Sequence, residues 1–274
     1  FYRLYPMRSD FASPFDDMGR YLFFANTLFA DTLLQERMTE VAAFLMKRHK
    51  YEETMAVLTN CQDAVKDFDY HMLMGNLLMR LPMSTDTLST EHFRQALDLR
   101  PDSEKALSGY ARALFRYHSY EAALNAYDQL LDKKPDNTGY MLNAAICMAN
   151  MDRYEEALKP LFKLDYEQPD NHRVKRVLAW VLTMSARYEQ AGKLYQQLLM
   201  ADKPEPVDML NYGYCLWFAD DIVEAIVHFK QFLLSKEDDN FNLENEFMKN
   251  EHKLIAAHNI SDTEIQLMLD ALSA

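Results

Sequence analysis

The side chains best suited to chemistry are few in this chain, and their spacing does not assemble a reaction centre. Of eight histidines, His252 and His258 share a helical stretch but lie six residues apart, whereas two ligands on one helix face need a separation of three or four. Cys61, Cys147 and Cys215 form no CxxC pair and sit among apolar residues of helical period, as packing thiols do. The six glycines lie singly at 19, 75, 109, 139, 192 and 213, so there is no GxSxG elbow and no phosphate loop, and HExxH is also missing. Paired acids such as Glu155-Glu156 open helices, where carboxylates complement the helix dipole without doing acid–base work. No enzyme, metal site or cofactor is expected.

Binding is the remaining use, and composition limits what can be bound. The 274 residues carry 29 Lys and Arg against 42 Asp and Glu, a formal net charge of -13, which repels a phosphate backbone and sets nucleic acid aside as a partner. With 49% hydrophobic residues and few Gly and Pro, the chain can bury a large core and favours helices over tightly turned sheets. The most apolar stretch, Tyr21 to Leu34, is interrupted by Asn26 and Asp31, so no membrane span is expected. An odd count of three cysteines points to a reducing compartment, hence a cytoplasmic location. The absence of an initiator Met before Phe1 suggests an excised or processed product.

The elements that must position any binding residues follow from a repeat. Tyr120-Glu121-Ala122-Ala123, Tyr154-Glu155-Glu156-Ala157 and Tyr188-Glu189-Gln190-Ala191 recur every 34 residues, and the same step reaches Ile222-Val223-Glu224-Ala225. Tyr127, Leu161, Tyr195 and Phe229 form a parallel series. Each period holds two amphipathic blocks around a polar turn such as His118-Ser119 or Asp152-Arg153, which is a helical hairpin. Pro101, Pro135 and Pro169, each followed by Asp, mark the junctions.

This pattern resembles the tetratricopeptide repeat. Laid on that family's register, four units run 104–137, 138–171, 172–205 and 206–237, with small residues at both close-crossing positions: Ala111 and Ala123, Ala145 and Ala157, Ala179 and Ala191, Gly213 and Ala225. The resemblance implies an all-α, right-handed solenoid of helical hairpins. Thr90 to Pro101 reads as the second helix of a further unit whose first helix lies near Asp69 to Leu81, with its turn lengthened around Pro82 to Thr87. Glu36 to Lys50 followed by Tyr51 suggests an earlier hairpin, giving about six units over 35–237, preceded by an N-terminal segment and amphipathic helix over 1–34. After the acidic run Glu237-Asp238-Asp239, residues 238–274 read as a cap, with one helix from Leu243 to His258 and a capping box at Ser261 to Glu264.

The family's concave-groove positions hold Arg112, Asn143, Arg176, Trp180, Asn211, Tyr214 and Trp217, along with Arg116, Arg173, Ile146 and Phe218, a basic and aromatic set in an acidic chain. The expected partner is therefore a protein or peptide carrying acidic and bulky apolar side chains. Relatives that clamp EEVD tails use a defined set of Lys, Asn and Arg; Asn143 fits it and Arg173 is a basic stand-in, but Ser108, Arg112 and Val177 depart from it. A scaffold or adaptor is the leading reading. The alternative is an oligomeric assembly factor or secretion-type chaperone, a homo-oligomer paired through Tyr21 to Leu34. Lys175 occupies a position that is usually apolar, and Pro160 falls inside a second helix, where a kink is expected.

Overall fold

A computed structural model describes residues 32–61, 66–81, 86–202, 204–235 and 243–273. The Tyr21–Leu34 helix (save its last residues), the turn at 82–85 and the acidic run 237–239 lie outside the described residues. Among the described residues every regular element is a helix.

The helices pair as hairpins: α1 (Thr32–Lys47) with α2 (Tyr51–Thr59), α3 (Phe68–Leu78) with α4 (Asp86–Leu99), α5 (Glu104–Arg116) with α6 (Tyr120–Lys133), α7 (Thr138–Asn150) with α8 (Tyr154–Glu167), α9 (His172–Met184) with α10 (Tyr188–Leu199), and α11 (Pro206–Phe218) with α12 (Ile222–Ser235). The chain divides into two compact units, Phe1–Tyr140 and Met141–Ala274. Within the first, the second helix of each hairpin packs on the first helix of the next, as α4 does on α5, and first helices adjoin at α1–α3 and α3–α5. The second unit repeats this with α8 on α9 and α10 on α11, while α9 adjoins α11. Within each unit this is the all-α stack of helical hairpins that the repeat implies.

The turns explain why the period holds. In five of them, the second residue after the first helix adopts a left-handed conformation: His49, His118, Asp152, Ala186 and Asp220, with φ between 55° and 66°. From 118 to 220 these residues fall 34 apart. Each of these turns closes with the same bond from the following N–H to the carbonyl five residues back: Lys50 to Leu45, Ser119 to Leu114, Arg153 to Met148, Arg187 to Leu182 and Asp221 to Leu216, at 2.8 to 3.1 Å. This satisfies a helix-end carbonyl and reverses the chain. The Pro-Asp junctions feed helix starts two residues on: Ser103 Oγ accepts from Ala106 N–H, Asn137 Oδ1 from Tyr140 N–H, and Asn171 Oδ1 from Val174 N–H.

The close-crossing alanines are fully buried, as are Tyr127, Leu161, Tyr195 and Phe229 beneath them. Gly213 shows why one of these places is smaller: a Cβ there would stand 2.6 Å from the Phe229 ring. α8 runs unbroken through Pro160. Lys175 is accommodated at its apolar position by Gln197 Oε1 at 2.9 Å and Asp165 Oδ1 at 3.5 Å.

The C-terminal segment differs from the single helix expected over Leu243 to His258. A short α13 (Leu243–Asn245) opens into a wide turn, Glu246–Asn250, closed by Glu251 N–H to Glu246 C=O at 2.8 Å, before α14 (His252–Ala257). The wide turn carries Phe247, fully buried among Trp217, Tyr214 and Phe229. α15 (Asp262–Ser273) begins with the capping box, in which Ser261 N–H donates to Glu264 Oε2 at 2.8 Å and Glu264 N–H to Ser261 Oγ at 3.4 Å, and it packs on α12 through Ile265 and Met268.

Candidate functional site

In the second unit α7, α9 and α11 carry the residues expected in the groove, and the structure sorts them into three groups. Arg176, Trp180 and Asn211 line one recess of about 240 Å³ with Ile146, Ala149, Asn150 and Val177. Asn143 belongs to the same set of helices: its Oδ1 accepts from Arg173 Nη2 at 3.3 Å, which links α7 to α9. Trp180 is half-buried, its ring edge-on to Tyr214 at 6.4 Å, and no hydrogen bond from its indole N–H or from the Asn211 amide is present among the described residues.

Tyr214 and Trp217 form the second group and correct the expected placement. They are 2% and 4% exposed and belong to the core beneath the C-terminal cap, where Trp217 lies 5.2 Å from Phe247 and 6.1 Å from Phe229. The cause is Phe247, whose approach over α11 depends on a turn that helical periodicity does not reveal. Burial pushes the Tyr214 phenol well above its usual range, and its hydroxyl is buried without a hydrogen-bond partner.

Arg176 is the third case. Its guanidinium makes a two-pronged bond to Asp208, with Nη2–Oδ2 at 2.8 Å, and also reaches Glu205 at 3.2 Å. The bond to the Asp208 carboxylate raises Arg176 above the ordinary arginine range. Asp208 is 1% exposed, so this arginine neutralises a buried acid of its own chain and bridges α9 to α11. Asp208 was invisible to the sequence reading because an Asp in a first turn passes for a dipole partner.

Arg112, on α5 of the first unit, is exposed between the buried Ala111 and Ala113. Arg116, one turn on, instead binds the carbonyls of Met79 and Leu81 at 2.5 and 2.6 Å, closing the end of α3. The residues first considered for metal and redox chemistry have structural partners. His252 Nε2 pairs with Asp262 at 2.8 Å, His258 stacks on Phe218 at 3.8 Å, and all three cysteines are buried thiols outside any disulfide, with burial pushing Cys61 and Cys215 up to about 11. Among the described residues no helix is long and apolar enough to cross a membrane.

Residues 115–181 match the tetratricopeptide repeat family model, and the stacked helical hairpins have the fold of tetratricopeptide-repeat proteins. Its fold is similar to a tetratricopeptide repeat protein from Parabacteroides merdae (13% identity, TM-score 0.60, covering 89% of this chain and 86% of that one). It is also similar to PilF of Pseudomonas aeruginosa (16%, 0.57, 79% and 97%) and to MamA from residue 41 onward of Desulfovibrio magneticus (15%, 0.56, 64% and 97%). At these identities the likeness is one of fold. No curated protein matches the sequence.

Proposed function

We propose that the chain is a protein-recognition scaffold that receives a partner's segment across α7, α9 and α11 of its second unit. The observation that carries this reading is Trp180: a half-buried indole with an unspent N–H, at a recess whose polar rim includes the unspent Asn211 amide. Helical hairpins stacked in series present such faces readily. The recess takes a bulky apolar side chain between Ile146, Val177 and Trp180, and the amides of Asn143 and Asn211 hold the partner's backbone. Acidic residues of the partner meet Arg173, and on the first unit's own first-helix face they meet Arg112; Arg176 supports the floor through Asp208. Arg176 is the one ionisable side chain lining the recess, which favours binding over catalysis. Three buried cysteines outside any disulfide support a reducing, cytoplasmic setting.

The test is a peptide selected against the intact chain, its affinity then measured for variants. A Trp anchor carries about 2 kcal/mol or more, so Trp180→Ala should weaken binding more than about tenfold, and Asn211→Ala less. Tyr166→Ala, at a residue 89% exposed on α8, should change nothing. Affinity indifferent to Trp180→Ala would overturn the reading.

A further inference from the structure

A second recess, larger and sharing no residue with the first, opens between α10 and α11. It measures about 460 Å³ and is lined by Tyr188, Glu189, Gly192, Lys193, Gln196, Tyr212, Cys215, Leu216 and neighbours toward Asp221. Two departures from the repeat coincide there. At the position of Gly192, the preceding units carry Leu124 and Leu158, both buried, and the following unit carries Ile226. Gly192 leaves that branched apolar group out, although a Cβ would meet nothing closer than Tyr212 at 3.7 Å. Glycine is also the least favourable residue after proline inside a helix, so the fold itself gains nothing from it here.

The second departure is at the turn. Elsewhere the left-handed turn residue bonds the tyrosine that opens the second helix: His49 with Tyr51 at 2.8 Å, His118 with Tyr120 at 2.7 Å, and Asp152 with Tyr154 at 2.7 Å. Ala186 cannot do this, and the Tyr188 hydroxyl at the recess has no hydrogen bond among the described residues. The charge at the mouth is one-sided: Glu189 is paired with Lys193 at 2.7 Å, whereas Asp221 has no basic partner among the described residues.

We infer that this recess is a second recognition site, taking a leucine side chain of a partner protein in a segment flanked by lysine or arginine. The guest leucine occupies the place of the missing Leu side chain, the Tyr188 hydroxyl donates to the guest's backbone carbonyl, and Asp221 meets the basic flank. The volume exceeds one leucyl side chain and admits the adjoining backbone.

The intact chain, followed by amide NMR, is titrated with the tripeptide Ac-Lys-Leu-Lys-NH2. Saturable shifts are expected at Tyr188, Gly192 and Cys215, with Ac-Lys-Ala-Lys-NH2 about tenfold weaker for its lost apolar area. Ac-Glu-Leu-Glu-NH2 should also bind more weakly, with a difference that salt removes. Gly192→Leu should fold, melt above the parent and bind nothing. Ala186→Asp, which restores a turn partner to Tyr188 while leaving the space open, should weaken binding several-fold. Shifts that persist in Gly192→Leu, an alanine peptide that binds as well, or no saturable shift in the parent would each overturn the inference. Trp180→Ala should leave the tripeptide titration intact, so this site and the α7–α9–α11 face succeed or fail separately.

Discussion

The hairpins α7–α8 and α9–α10 share a period, a turn bond and a small-residue crossing, yet one is internally satisfied and the other leaves groups open. In the first, Asp152 holds Tyr154 and Leu158 fills the space beside the next hairpin. In the second, Ala186 and Gly192 leave a phenol and a recess unfilled, while Arg173, Lys175 and Arg176 reach from α9 to four other helices. The backbone is held by features that both hairpins keep. What is available for recognition is concentrated where the second departs from the first.

Four single substitutions would break or sharpen that contrast. The largest effect belongs to Arg176→Ala, which strands the buried Asp208 carboxylate and should cost about 3 to 5 kcal/mol of stability by chemical denaturation. A joint Arg176→Met and Asp208→Leu replacement should recover most of it; a small effect of Arg176→Ala would mean that the pair does not hold α9 to α11. Next come two glycines of opposite meaning. Gly213→Ala drives a methyl into the Phe229 ring and should cost about 1 to 3 kcal/mol, whereas Gly192→Ala should stabilise by up to about 1 kcal/mol of helix propensity. Equal effects at the two sites would remove the distinction between a packed and an unfilled repeat. The smallest concerns Ala186, whose left-handed φ of 55° is costly for a residue with a Cβ. Ala186→Gly should raise stability by about 0.5 to 1 kcal/mol with the turn unchanged.

The first unit supplies a pH contrast. His71 and His92 approach at 3.0 Å through their Nδ1 atoms, and burial lowers both, His92 to about 4. Their folded values lie below the unfolded value, so the native state binds fewer protons and its stability falls as pH drops from about 6.5 toward 4. Thermal melts across that window should decline for the parent and flatten for His92→Gln; a pH-independent parent would contradict the neutral pair.

The repeat itself was legible because its signals are local. The 34-residue spacing, the Pro-Asp junctions, the small residues at 111 to 225 and the Ser261–Glu264 box each act within a helix or a turn. The candidate site was legible only in part. Trp180 and Asn211, expected in one groove, line a common recess, but the fate of Trp217 depended on Phe247, thirty residues away in a turn with no periodic signature. Arg176 looked free because its partner Asp208 lies on another helix. The α10–α11 recess left a readable trace: glycine at 192 breaks the series of Leu124, Leu158 and Ile226, a departure visible only when the repeats are compared position by position.

The central claim is that partners are held on the face of α7, α9 and α11. A photoreactive p-benzoylphenylalanine placed at Asn150, on the rim of the Trp180 recess, tests it most directly when compared with the same group at the exposed Tyr166 of α8. The account predicts a discrete adduct with the selected partner peptide from position 150, abolished by Trp180→Ala, and none from position 166. Equal crosslinking at both positions, or an adduct at 150 that survives loss of Trp180, would contradict it.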